Sequence, residues 1–186
     1  MKVLREDFVL NKYGLSVRFV NESDAEFIVK LRTDDKLSRY IHSTSDNIDK
    51  QVHWIKSYKE REKKGIDYYF VFLKDGERLG LNRMYNIHDR IFTTGSWVFS
   101  QEAPFESSIL ASIIVREIAF ETLDLLYEDA FDGCHVENKK VLKFNKMIGL
   151  KDGEHFIDEK GEYVSQSLTK EDFLKNKHKI LKLLGY

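Results

Sequence analysis

Between Thr94 and Leu150 the chain alternates between strand and helix periodicity, and that order restricts the fold more than any other feature. Gly95-Ser96-Trp97-Val98-Phe99 is rich in β-forming residues. Gln101 to Pro104 breaks this strand with the chain's only proline. From Ser107 the residues Ile109, Ile113, Ile114, Ile118 and Phe120 to Leu123 fall at helical spacing. Tyr127 to Cys134 reads as a second strand, made polar by Glu128, Asp129 and Asp132. Val141, Leu142, Phe144, Ile148 and Leu150 give another helical stripe, stopped at Gly149. A strand, a crossover helix and a neighbouring strand set a turn before a helix N-terminus, where free amides suit an anionic ligand.

The flanking segments extend the sheet. Asp7–Leu10 and Leu15–Val20 bracket a turn at Asn11–Gly14, and Ser23-Asp24-Ala25-Glu26 reads as a capping box opening a helix with Phe27, Ile28 and Leu31 inward. A second helix is expected from Asn47, with Val52, Ile55 and Tyr58 on one face, closed at Gly65 after a solvated run Glu60–Lys64. Tyr68–Leu73 is too apolar for a one-faced strand and is expected inside the sheet. Asp75-Gly76 and His88-Asp89-Arg90 turn it into two further strands, a meander that runs into Gly95–Phe99. Beyond Leu150 a hairpin around Asp158–Gly161 leads to Thr169-Lys-Glu-Asp172, which caps a C-terminal helix carrying Phe173, Ile180, Leu181 and Leu184. No repeat or linker divides the chain, so one domain over residues 1–186 is expected.

At these residues the chain resembles the Gcn5-related N-acetyltransferase (GNAT) superfamily, nearest its ribosomal-protein and amino-sugar acetylating branches. The family pattern N-x-x-A-x-x-x-Y-x-x-x-G-F corresponds to Asn138, Val141, Asn145, Gly149 and Leu150. The pyrophosphate signature Q/R-x-x-G-x-G/A begins at Gln101, with Pro104 and Glu106 standing where the family has glycines. The resemblance implies an α/β (α+β) fold, a mixed, mostly antiparallel sheet flanked by helices. Its core would cover about residues 15–168, with an extra C-terminal helix over about 169–184. It implies acetyl-CoA as cosubstrate, touched by Val98, Gln101, Phe105, Glu106, Ser107, Ser108 and Asn138, with the pyrophosphate over the amides of residues 105 to 109.

Acetylating an amine requires an uncharged nitrogen and then an acid for the departing thiolate. His42, in the loop between the first helices, and His135, after the polar strand, have the ordinary pKa for such work. Asn145 stands at the position of the family's tyrosine acid and cannot supply a proton, so Tyr85 or water is left for that role. Tyr40, Tyr85 and Trp97 are expected to line the acceptor pocket. The acceptor implied is a small-molecule amine, a nucleotide-linked amino sugar being preferred slightly to a protein N-terminus. The lost signature residues leave open a binding module without turnover.

A net charge of -1 gives no basic field for nucleic acid. Cys134 is the only cysteine, which excludes an internal disulfide and a cysteine-rich metal site, so no metal is expected. No G-x-S-x-G elbow or P-loop occurs. The N-terminus lacks the apolar core of a signal peptide and no run reaches membrane-spanning length, so a cytoplasmic protein is expected. The acceptor's identity and the oligomeric state, a homodimer included, are not legible.

Overall fold

A computed structural model describes residues 2–41 and 44–186. Strand β1 (Val9–Lys12) turns at Tyr13-Gly14, both at positive φ, into β2 (Leu15–Phe19). A 3-10 turn, Glu22–Asp24, then feeds helix α1 (Ala25–Thr33). The cap is Asn21 rather than Ser23: its side chain accepts from Ser23 N–H at 2.9 Å, and Asp24 accepts from Asn21 N–H at 2.9 Å. Asp24 is buried and also accepts from Arg18 at 2.7 Å, so this box is tied into the sheet.

Helix α2 (Ile48–Lys63) starts where expected, with the Asn47 side chain accepting from Lys50 N–H at 2.8 Å. Its end is solvated at Glu60, Lys63 and Lys64, as expected, but not at Glu62. Glu62 is buried, accepts from Tyr58 Oη, and pairs with Lys59 at 2.9 Å. Tyr58 Oη in turn accepts from Tyr69 N–H at 2.8 Å, so the helix end is fastened to the sheet.

Strands β3 (Tyr68–Lys74), β4 (Glu77–His88) and β5 (Ile91–Phe99) form the meander. Its turns, Asp75-Gly76 and Asp89-Arg90, hold both residues at positive φ, as tight hairpins require. Helix α3 (Phe105–Glu117) begins after Pro104, earlier than the Ser107 expected, and continues into a π-helical turn, Ile118–Thr122. Proline has no N–H to leave unsatisfied and therefore fits a helix boundary. Strand β6 (Tyr127–His135), helix α4 (Lys139–Ile148), the hairpin β7 (Lys151–Asp158) and β8 (Gly161–Thr169), and helix α5 (Lys170–Leu183) complete the chain.

The sheet order is β1-β2-β3-β4-β5-β6-β8-β7, and every pairing is antiparallel except β5 with β6. This is the mixed, mostly antiparallel sheet expected. Residues on β3 alternate between two cores, Tyr68, Phe70 and Phe72 facing α3 and α5 while Tyr69 and Val71 face α1 and α2. Two-sided burial explains why β3 reads as one apolar run, and each such side chain contributes about 1.5–3 kcal/mol. Helices on both faces make the sheet a partition between two compartments.

Candidate active site

That partition opens between β5 and β6. The two strands pair only at Ile91–Tyr127 and Phe92–Glu128, beyond which each keeps its other neighbour and they separate. Both strands lose their regular register as they part. β5 carries an extra residue against β4, since Leu81 faces Val98 but Arg83 faces Gly95, and Ser96 there has φ +49°. β6 slips against β8 between Ala130 and Cys134, around Gly133 at φ +70°. Such irregularities bend a strand and redirect its side chains.

A buried ion pair occupies the fork. Arg116 of α3 donates to Glu128 of β6 at 2.7 and 2.8 Å, and Thr94 Oγ1 of β5 donates to the same carboxylate at 2.6 Å. The Arg116 guanidinium also donates to the Ser112 hydroxyl. Three elements are therefore joined where the strands diverge.

Above this fork lies a cleft of about 620 Å³. Ile28, Arg32, Gln51 and Trp54, on α1 and α2, wall one end, while Ser112 and Arg116 of α3 and Val141 and Asn145 of α4 wall the other. A cavity with walls from helices on opposite faces of a sheet passes through it. The α1–α2 end is cationic and aromatic. Arg32 donates to Thr44 Oγ1 at 2.5 Å and Ser96 Oγ at 2.6 Å. Arg83 is held by Asp67 at 2.6 and 2.8 Å and lies over the rings of Trp54, at 5.0 Å, and Tyr85, at 4.8 Å.

Tyr40, Tyr85, Trp97, His135, Asn138 and Asn145, all named from the sequence, line this cleft. Trp97 donates from Nε1 to Ser108 O at 3.0 Å and packs on Phe144. Tyr40 packs against His135 at 5.0 Å between ring centres. His135 accepts Glu137 N–H on Nδ1 at 3.1 Å and has Nε2 3.2 Å from Lys160 O, so backbone groups occupy both ring nitrogens. Asn145 is buried and donates to Gln166 at 2.6 Å, and Gln166 donates to Asp152 at 2.8 Å. Asn138 precedes α4 without a side-chain capping bond, contrary to the capping role its position suggests.

The expected cofactor residues on the turn lie apart from the cleft wall. Gln101 is exposed and donates to Asp34 at 3.4 Å. Phe105 is 81% exposed, Ser107 is buried, and Ser108 Oγ donates to Phe105 O at 3.3 Å. Ser107 N–H bonds to Pro104 O at 2.9 Å. Ser107 is therefore not among the free amides within the run 105 to 109. Val98 is buried in the core facing α1 and α2. His42 lies outside the described residues. Cys134 lines the cleft, but burial, aided by the charge of Asp152, pushes its thiol up to about 11, which suits an inert side chain.

Arg32, Arg83 and Arg116 also line the cleft and were not singled out from the sequence, while Glu128 and Asp132, read there as part of an acidic strand, line it too. Their partners are distant in the chain, and periodicity carries no signal for such pairs. Among the described residues no group of His, Cys, Asp and Glu side chains could hold a metal ion. Among them, no helix is long and apolar enough to cross a membrane.

The sheet is thus split between its parallel strands, with a cleft walled by helices of both faces. Comparison with solved structures gives the family. The chain is 30% identical to FdhC, described as a nucleotide-linked sugar GNAT, over 94% of this chain and 97% of that one, with a TM-score of 0.79. It is 16% identical to a ribosomal-protein-S5-alanine acetyltransferase from Vibrio fischeri, over 90% of this chain and 99% of that one, with a TM-score of 0.75. RimJ from Mycobacterium smegmatis, solved with CoA-disulfide, is 17% identical over 92% of this chain and 89% of that one, with a TM-score of 0.78. The last two share the fold. No family model matches the sequence, and no curated protein sequence matches it. The chain belongs to the Gcn5-related N-acetyltransferase family.

Proposed function

We propose that this chain transfers the acetyl group of acetyl-CoA to the primary amine of a small molecule, and that the amine is carried on a nucleotide-linked sugar. The observation that carries this reading is the cleft through the sheet, because it lets donor and acceptor enter from opposite faces and meet. Past Phe92, β5 has no strand partner on its β6 side, so its edge offers backbone N–H and C=O groups to the amides of a pantetheine arm. Acetyl-CoA supplies the acyl group as a thioester. The chain's own residues bind, align and exclude water.

The preference for a sugar nucleotide rests on the α1–α2 end. Arg32, Lys50 and Arg83 supply positive charge for a diphosphate, and Tyr40, Trp54 and Tyr85 supply ring faces for a base or sugar. Identity of 30% with a nucleotide-linked sugar GNAT points the same way. Release of free thiol from acetyl-CoA tests the reading, with UDP-glucosamine, glucosamine, spermidine and an alanine-terminated peptide as acceptors. Acceptor-dependent release, fastest with the nucleotide-linked amine, is expected. Thiol release with none of them would leave only a binding module.

The turn before α3 fits a pyrophosphate incompletely, since Pro104 has no N–H and Glu106 adds a carboxylate beside the free amides. Replacing Glu106 with Gln is expected to tighten CoA binding about three- to tenfold at low salt and less at moderate salt. Isothermal titration reads this directly. Unchanged affinity at both salts would mean the phosphates do not use this turn.

A further inference from the structure

We propose that Asp132 is the group that receives the acceptor's amine and takes its proton, with Tyr85 as its positioning residue. This rests on the acetyltransferase reading above and assigns the acidic stretch of β6 a task. Two carboxylates line the cleft, Glu128 and Asp132. Glu128 is engaged by Arg116 and Thr94. Asp132 accepts from the Tyr85 hydroxyl, and among the described residues it has no ion pair. It is thus a cleft-lining carboxylate that, among the described residues, is held by a neutral phenol rather than by a salt bridge. An amine nitrogen is the ligand that such a group attracts.

Its placement is built by three strands. Asp132 follows Glu128 and Ala130 at alternate positions of β6 and lines the cleft with them, while Phe131 is half exposed. Gly133 permits the slip of β6 between Ala130 and Cys134, having φ +70° and no Cβ to meet the Phe156 ring at 2.9 Å. Tyr85 stands on β4, with β5 between it and β6. It crosses because β5 presents Gly95 there: a Cβ on Gly95 would lie 3.0 Å from the Tyr85 ring and 3.2 Å from its hydroxyl. Burial and the bond to Asp132 raise the Tyr85 pKa, so the phenol stays a donor and fixes one carboxylate oxygen. The other oxygen remains for the substrate.

The chemistry closes without a further reactant. The uncharged amine nitrogen forms a bond to the thioester carbonyl carbon as the C=O π pair moves onto oxygen, and the nitrogen becomes strongly acidic. One N–H bond breaks and its proton passes to the free oxygen of Asp132. The oxyanion's pair then reforms C=O as the C–S bond breaks, the bonding pair leaves with sulfur, and the proton held on Asp132 passes to that thiolate. Amide and free thiol result, and the carboxylate is restored. Neither His135, with both ring nitrogens engaged, nor Asn145, which cannot release a proton, offers this path.

The test compares the parent chain with Asp132→Asn, Tyr85→Phe and Gly95→Ala, using UDP-glucosamine as the amine probe and the acceptor panel above beside it. Thiol release gives kcat and KM, and calorimetry gives CoA affinity independently of turnover. Asp132→Asn is expected to lower kcat about 100-fold or more with CoA affinity unchanged. Tyr85→Phe and Gly95→Ala are expected to lower kcat about tenfold with smaller changes in acceptor KM, the mark of a mispositioned base rather than a lost binding contact. If the parent neither binds CoA nor releases thiol with any amine, the acetyltransferase reading has failed and the assignment falls with it. If the parent turns over and Asp132→Asn keeps kcat within about twofold, the assignment alone is overturned. Loss of CoA affinity in Asp132→Asn overturns it equally, by moving the residue to the donor side. Should that variant not fold, Gly95→Ala decides, since an unchanged kcat there contradicts the three-strand arrangement.

Discussion

Replacing Glu128 with Ala is expected to cost about 3–5 kcal/mol of stability, because it leaves the Arg116 guanidinium buried without its counter-ion. For a chain of this length that loss lowers the melting temperature by about 6–20 °C. The fork makes the penalty hard to relieve. Arg116 sits on α3 with its remaining bonds to Ser112 and, at 3.5 Å, to Thr94 Oγ1, and Thr94 Oγ1 of β5 also loses its acceptor. Glu128→Gln should fall between, keeping an acceptor oxygen but not the charge. The exposed pair Lys63–Glu60 is the control, and its removal should leave melting unmoved. Thermal denaturation followed by circular dichroism measures all three. A Glu128→Ala melting point within about 2 °C of the parent would show that the ion pair does not hold the strands together.

Ala130→Trp is expected to reduce acceptor-dependent thiol release by about 100-fold or more while melting changes little. Ala130 lines the gap on β6, and its side chain points into open cleft rather than core. Tryptophan suits a strand and would fill the passage between β5 and β6. Displacing reacting groups by about 1 Å already costs on the order of 100-fold in rate. Calorimetry with CoA should show weakened binding in the same variant. Full activity in Ala130→Trp would mean that the reaction does not run through the gap.

The succession of strands and helices was legible because each element carries its own periodicity and stop. β3 announces two-sided burial by lacking alternation, and Asp75-Gly76 and Gly149 mark ends that only positive φ can make. Capping was legible in kind but not in position. Asn21 and Ser23 are both good caps, and the choice fell to Asn21 because Asp24 is also drawn inward by Arg18.

Charge was the hardest part of the sequence to read. Glu60–Lys64 looks like a solvated helix end, yet Glu62 is buried because Tyr58 and Lys59 meet it there. The polar character of β6 looked merely acidic, whereas Glu128 is matched by Arg116 and Asp132 by Tyr85. Such partners are brought together by sheet topology, and local spacing holds no record of them. The cleft itself depends on register slips in β5 and β6, at Ser96 and around Gly133, which carry no periodic signal. Family resemblance located Tyr40, Tyr85, Trp97, Asn138 and Asn145 near one cavity, but Arg32 and Arg83 needed the fold to appear beside them.

A crystal structure of the chain soaked with CoA at millimolar concentration tests the cleft between β5 and β6 most directly. The pantetheine arm is expected along the unpaired edge of β5, with its thiol in the cleft between Trp97 and Ala130 and the phosphates toward the start of α3. CoA bound elsewhere on the surface, or a cleft that stays empty of it while the protein remains folded, would contradict the claim that the parting of β5 and β6 is where the acyl group is transferred.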